Sequence, residues 1–225
     1  YDPLEADDVA QSILWCIEQP ERVNIQELLI FPGDQYGPGY LDKTSSERIR
    51  STPSREHPPL AFITGATGGI GKAVAQRFAA NGYDLVLTGR REALLNQIAD
   101  DLRAKYSINV NTLCFDVSNL QQVRNVFEEH GSLIRRVDVL INNAGMAKGW
   151  NPFYKSSLKD FRQVIDTNLM GALRFVRAFI PNMMEKRNGT IVFISSTAGK
   201  QAYTYGGIYS ASKAALNMVA KTLQL

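Results

Sequence analysis

The chain is poor in the residues that staple or metallate small proteins. Among its 225 residues are two cysteines, Cys16 and Cys114, and two histidines, His57 and His130. The thiols lie far apart in apolar runs, which argues against a disulfide scaffold. With the two imidazoles they form no cluster of metal-ligand spacing, so no metal is expected. No stretch approaches roughly 18 unbroken apolar residues, so no membrane partner is expected. Lysine and arginine are scattered rather than clustered, which leaves no basic tract for nucleic acid. Reduced thiols and the lack of a leader point to the cytoplasm. An initiator methionine is also missing, and Leu225 falls inside a helical pattern. The sequence therefore reads as a fragment.

What is present is ordinary for a folded protein: 44% apolar and 21% charged residues, enough to exclude a wholly disordered chain. The net charge of +3 hides an asymmetry. Residues 1–40 carry eight acids and one base, whereas 60–225 carry eleven acids and twenty bases. The basic part suits an anionic, phosphate-bearing ligand, although a plain solvated surface has the same composition.

Residues 5–18 have the period of an amphipathic helix, with Val9, Ile13 and Cys16 or Ile17 on one face and Asp7 and Asp8 in the first turn. Pro20 closes it, and 23–31 reads as a strand. The segment 1–40 is thus a helix–strand piece. Residues 41–59, rich in Pro, Ser and charge, read as a linker. From residue 60 short apolar runs alternate with amphipathic stretches. Strands are expected at 60–64, 85–88, 109–115, 137–141 and 190–195. Helices are expected at 71–81 and 91–106, at 118–130 with a Ser118/Gln121 capping box, from 157 with a break at Pro181, and from 209. This pattern means βαβ units: an α/β class with a doubly wound parallel sheet.

The first expected strand runs into Thr64-Gly65-Ala66-Thr67-Gly68-Gly69-Ile70-Gly71 and then a helix. Glycines let the backbone turn sharply and approach a pyrophosphate, while the helix N-terminus offers free N–H groups. Alone, such a cluster also suits a plain tight strand–helix turn; its place after a strand and at the start of a helix favours the nucleotide reading. Where a carboxylate would select NAD at the end of the second strand, the sequence reads Gly89-Arg90-Arg91, and a guanidinium fork suits a 2′-phosphate. Tyr209 and Lys213 stand four apart on one helix face. An ammonium there favours a tyrosinate and makes Tyr209 a candidate acid/base. About 0.4 such pairs are expected by chance at this composition, so the pair alone is weak. Ser195 and Ser196 end the fifth strand on opposite faces, and one would face the ligand crevice.

Taken in order, these residues resemble the short-chain dehydrogenase/reductase family. The likeness runs through Thr64–Gly71, Asp116-Val117, Asn142-Asn143-Ala144-Gly145, Asn168, Ser196 and Tyr209-Ser210-Ala211-Ser212-Lys213. It implies a Rossmann-type fold and an NADP-dependent oxidoreductase. Tyr209 would be the acid/base, and Lys213 would lower its pKa and hold the nicotinamide ribose. Ser196 would orient the carbonyl, and Asn168 would anchor a water in a proton relay. Gly65 to Gly71, Arg90, Arg91, Asp116, Val117, Asn143, Ala144 and Gly145 would hold NADP(H). Residues 1–37 are similar to the C-terminal end of the family's NADP-dependent 3-hydroxy acid (serine) dehydrogenase branch, while 60–225 resemble its first three quarters. The expected partners are a small alcohol or carbonyl substrate and further copies in a dimer or tetramer. A nucleotide-binding scaffold without turnover, and a Rossmann enzyme such as a sugar-nucleotide epimerase, share several of these features.

Overall fold

A computed structural model describes residues 4–19 and 57–223. The strand expected at 23–31 and most of the linker expected at 41–59 lie outside the described residues. Five strands, β1 (Leu60–Ile63), β2 (Asp84–Gly89), β3 (Val110–Cys114), β4 (Val139–Asn142) and β5 (Thr190–Phe193), form one sheet in the order β3-β2-β1-β4-β5. All four pairings are parallel. The central strands β1, β2 and β4 are buried at every position, as continuous apolar runs in a two-sided sheet require. At the β3 edge burial alternates, and Asn111 and Cys114 are exposed.

The side chains of each central strand divide between two cores. Ala61, Ile63, Leu85, Leu87, Val139 and Ile141 face α1 (Ala6–Ile17), α2 (Gly69–Ala80) and α3 (Glu92–Tyr106). Leu60, Phe62, Val86 and Leu140 face α4 (Leu120–Glu129), α5 (Gly131–Arg136) and α7 (Ala172–Lys186). Phe62 sits 5.5 Å from Phe175 and 5.1 Å from Phe179, ring to ring, and fixes α7 on that face. The remaining helices are α6 (Leu158–Ile165) and α8 (Gly207–Thr222). Among the described residues no helix is long and apolar enough to cross a membrane.

Several local expectations are corrected. Helix α4 is capped not by a Ser118/Gln121 box but by Asn119, whose side chain accepts from the Gln121 and Gln122 amides. Ser118 instead donates its hydroxyl to Asp116. The short helix α5 follows directly, its apolar pattern too brief to read. Pro181 does not break its helix. It lies on the exposed side of α7, while Phe175, Phe179 and Met183 hold the buried side. The interruption falls earlier, where Asp166–Gly171 winds as a π-helix between α6 and α7. Strand β5 ends at Phe193, before the two serines.

Sequence order reverses between β1 and its neighbours β2 and β4. In an open α/β sheet such a switch point opens a crevice at the carboxyl ends of the strands. The glycine-rich loop after β1 and the asparagine-rich loop after β4 border it.

Candidate active site

The glycine-rich loop folds back on itself before α2 begins. Gly65 has φ +68°, a left-handed conformation that favours glycine. Its carbonyl accepts from the Gly68 amide, and the Ala66 amide donates to Thr88 of β2. A Cβ on Gly71 would stand 2.4 Å from the Gly65 carbonyl oxygen, so the loop closes only because that atom is absent. Helix α2 starts at Gly69, two residues earlier than its apolar period suggested, so Gly69, Ile70 and Gly71 form its first turn. Their amides have no intrahelical partners, and the helix dipole adds positive potential there.

Thr64 joins this loop to the one after β4. Its buried hydroxyl accepts from the amides of Asn143 and Ala144, 3.0 Å each, and donates to the Ile141 carbonyl. The Asn143 side chain donates to the Thr64 and Gly65 carbonyls at 2.8 and 3.1 Å. The sequence marks Thr64 only as the start of the glycine-rich stretch. A threonine ending a strand carries no spacing signal, and only the crossing of two loops gives it a task.

Arg90 and Arg91 leave β2 beside the loop, but neither is idle. Arg91 donates to the Thr67 carbonyl at 2.5 Å and to its hydroxyl at 3.3 Å. Arg90 is two-thirds exposed and lies 3.5 Å from Asp116. Partial desolvation raises the Asp116 pKa, but two hydrogen bonds from Ser118 and the charge of Arg90 outweigh it, and the carboxyl is held below its ordinary range. Asp116 and Val117 thus stand across from Arg90 at one end of the crevice. Val117 also packs against the backbone of Gly171.

At the other end are Asn168, Ser196, Tyr209 and Lys213. Asn168 lies in the π segment, 1% exposed. Its side chain accepts from the Met146 amide and donates to the Met146 carbonyl, both at 2.8 Å, and donates to Ser212 at 3.0 Å. Ser212 in turn donates to the Tyr209 carbonyl at 2.7 Å. The π winding and the start of α8 are therefore locked together through the buried hydroxyl of Ser212, another residue whose part was not read from the sequence. A Cβ on Gly145 would lie 3.4 Å from Lys213 Nζ and 3.5 Å from Asn168 Oδ1, so the chain there passes against both. Ser195 donates to the Lys213 carbonyl at 3.3 Å. Ser196 accepts from the Ala198 amide as the cap of the 3-10 turn Thr197–Gly199.

Lys213 donates to the Ile194 carbonyl at 2.7 Å, with Nζ 5.8 Å from the centre of the Tyr209 ring. Only 4% of it is exposed, and burial lowers its pKa from 10.5 to about 8. The sign of the stability effect follows. Between pH 8 and 10.5 the unfolded chain holds a proton that the folded chain has lost, so stability rises with pH through that window. Urea unfolding of the parent and of Lys213→Met, measured from pH 7 to 10.5, should show their difference in free energy shifting by about 3 kcal/mol in the parent's favour. Parallel curves would contradict the buried ammonium. Across the mouth, Tyr203 packs on Trp150 with ring centres 6.2 Å apart. Partial burial, followed by the nearby Tyr209 phenol, raises its pKa.

The structure brings all the sequence-derived candidates to one crevice, in two groups joined by the chain at Asn143, Ala144 and Gly145. A glycine-rich turn at the start of α2, with a phenol and an ammonium on α8, is the arrangement that the comparisons match to a class. The chain belongs to the short-chain dehydrogenase family, whose pattern matches residues 59–225. It is 39% identical over 155 residues to the NADP-dependent 3-hydroxy acid dehydrogenase YdfG of Salmonella typhi, a match covering 69% of this chain and 61% of that protein. To sulfoacetaldehyde reductase 2 of Chromohalobacter salexigens it is 40% identical over 156 residues, with the same coverage. Among solved structures, serine dehydrogenase from Escherichia coli superposes with TM-score 0.68 at 34% identity, covering 73% of this chain and 74% of that one. A short-chain dehydrogenase from Sphingobium yanoikuyae in complex with NADPH gives TM-score 0.68 at 32% identity, covering 73% and 64%. The chain spans about three fifths of the length of the curated relatives it matches.

Proposed function

We propose that this chain carries the cofactor-binding and proton-transfer machinery of an NADP-dependent oxidoreductase acting on a small alcohol or carbonyl compound. The observation that carries the reading is Tyr209 and Lys213 on one face of α8, joined through Gly145 and Asn143 to a glycine cradle that a Cβ would fill. When bound, the nicotinamide supplies the hydride chemistry. The protein's residues bind, orient and move the proton. Gly65, Ala66, Thr67 and Gly68 form the turn that leaves room for a pyrophosphate, and the amides of Gly69, Ile70 and Gly71, without intrahelical partners, would face it. Asp116 and Val117 bound the adenine end, while Asn143, Ala144 and Gly145 line the cleft. Lys213 holds the nicotinamide ribose and keeps positive charge near the Tyr209 hydroxyl, which gives its proton to the forming alkoxide or takes it from an alcohol. Ser196 steadies the carbonyl oxygen. Asn168, with its amide spent on Met146 and Ser212, fixes the π turn beside Lys213 through which a proton relay would run.

The substrate class we infer is a 3-hydroxy acid or its oxo partner, supported by the relatives named for 3-hydroxy acids and serine. Assembly into a dimer or tetramer is supported by apolar side chains left exposed on the helical segments: Leu158 on α6, Met170 in the π segment and Met218 on α8. Sedimentation of the chain tests that part, and a monomer at high concentration would refute it.

NADP preference rests on the two arginines, which divide the work. Arg90, whose one partner among the described residues is Asp116, is the group we assign to the 2′-phosphate. Arg91 also braces Thr67 in the loop. Arg90→Ala should therefore weaken NADPH by roughly 10- to 100-fold, the worth of a charge-assisted hydrogen bond, and leave NADH unchanged. Arg91→Ala should weaken both cofactors. Fluorescence titration of the parent and both variants decides it, and equal NADH and NADPH affinities in the parent would sink the preference.

A further inference from the structure

Helix α1 lies on the outer face of α2, although 37 residues, 20–56, separate it from the rest of the described chain. The contact is a built one. Ala10 is 0% exposed, Leu14 2% and Ile13 7%, and all three share a core with Val74, Ala75 and Phe78 of α2. Asp7 accepts from Arg77, from Nε at 2.6 Å and also from Nη2. That pair holds the Asp7 carboxyl below its usual range. At the other end of the contact, Ala6 comes within 3.9 Å of the point where a Cβ of Gly69 would stand, and Ala6 and Ile70 pack on the same core. Helix α1 therefore grips α2 both at its third turn and at its first. The first turn, Gly69-Ile70-Gly71, is the part of the glycine loop that presents amides to the crevice. Glu5 and Asp8, the other acids at the start of α1, are turned to its own amides in a capping box.

We propose that α1 is a buttress for the dinucleotide-binding loop, so that docking of α1 and binding of a dinucleotide at the N-terminus of α2 strengthen each other. This rests on the cofactor reading above. A turn with two glycines has more backbone freedom to lose than any other. With α1 in place that freedom is already lost, and a ligand that needs the turn fixed binds without ordering it. Linkage makes the effect reciprocal: the ligand must hold α1 down by the same factor.

Hydrogen exchange on the whole chain tests the reciprocal half. Saturating NADPH should slow amide exchange across residues 6–17 by about 5-fold or more, the lower end of ordinary coupling between sites. Exchange in α1 that ignores NADPH overturns the proposal. The forward half uses Ala10→Glu, which sets a carboxylate at the fully buried contact and should release α1. NADPH should then bind about 5-fold or more weakly while β1, β2 and β4 keep their protection. Released α1 with undiminished NADPH affinity overturns it. Should Ala10→Glu lose protection throughout, Asp7→Asn serves instead. It removes the charge facing Arg77 and should speed exchange in α1 and weaken NADPH by about 2-fold. Faster α1 exchange with NADPH affinity equal to the parent's again overturns the coupling. A parent that does not bind NADPH refutes the cofactor reading and this proposal with it, whereas a parent that binds it with α1 unlinked refutes the buttress alone.

Discussion

Tyr209→Phe should reduce turnover by about 10²- to 10⁴-fold, the usual contribution of a positioned acid/base. The phenyl ring keeps the place of the phenol on α8, so folding and NADPH affinity should stay near the parent's. Only the hydroxyl is removed, and with it the group proposed as the proton donor near the Lys213 ammonium. The measurement is NADPH consumption with a 3-oxo acid or semialdehyde under single-turnover conditions, alongside a fluorescence titration for binding. A variant that binds and turns over like the parent would remove Tyr209 from the mechanism and favour a nucleotide-binding scaffold. A parent that binds NADPH and consumes none with any small carbonyl would favour the same scaffold. Lys213→Met should lose turnover and cofactor affinity together, because one ammonium is assigned to both the ribose and the phenol.

Gly71→Ala should be as damaging by a different route. The new methyl would stand 2.4 Å from the Gly65 carbonyl oxygen, 2.6 Å from the Asn143 side-chain nitrogen and 3.0 Å from the Ala66 Cα. Two of the three are backbone atoms and cannot rotate away. Relief requires the loop to open and the Asn143–Gly65 hydrogen bond to break, at a cost of about 2–4 kcal/mol in stability. A shift of about an ångström in the amides facing the crevice should lower NADPH affinity by roughly 10²-fold. Urea unfolding and NADPH titration read the two effects separately. A stable Gly71→Ala chain with parental affinity would mean that the loop does not cradle the cofactor. Gly82 makes a suitable control, since a Cβ there meets nothing within 4 Å and only its φ of +78° resists substitution.

Much of the sheet was legible because β1, the middle of β2 and the first three residues of β4 are short apolar runs, a pattern that two covered faces demand. The glycine loop was legible because its glycines must sit where the backbone doubles back. Tyr209 and Lys213 could be paired by helical spacing alone. The π segment could not be foreseen. Nothing local in Asp166–Gly171 asks for wide winding; the buried hydrogen bonds of Asn168 to Met146, 22 residues away, and to Ser212, 44 residues away, hold it. Thr64 and Ser212 lie within the quoted motifs, but their tasks were not legible, because each hydroxyl meets a group far along the chain: Thr64 the Asn143 and Ala144 amides, Ser212 the Asn168 side chain. Position alone makes the Arg91 guanidinium a phosphate ligand, yet in the structure it donates to the Thr67 carbonyl, a contact made only once β2 lies beside β1.

The bond from Asn143 to the Gly65 carbonyl has a consequence in time. Its partners are 78 residues apart. At about 5–20 residues per second, a ribosome takes roughly 4–16 s to travel from one to the other. In the course of that interval β2 and β3 are made and can pair with β1, but the loop after β1 lacks the side chain that closes it, and the inner edge of β1 awaits β4. A nascent chain halted before residue 139 should therefore present an open strand edge at the middle of its future sheet, which makes this interval, rather than the later addition of α8, the one in which a chaperone would find most to hold.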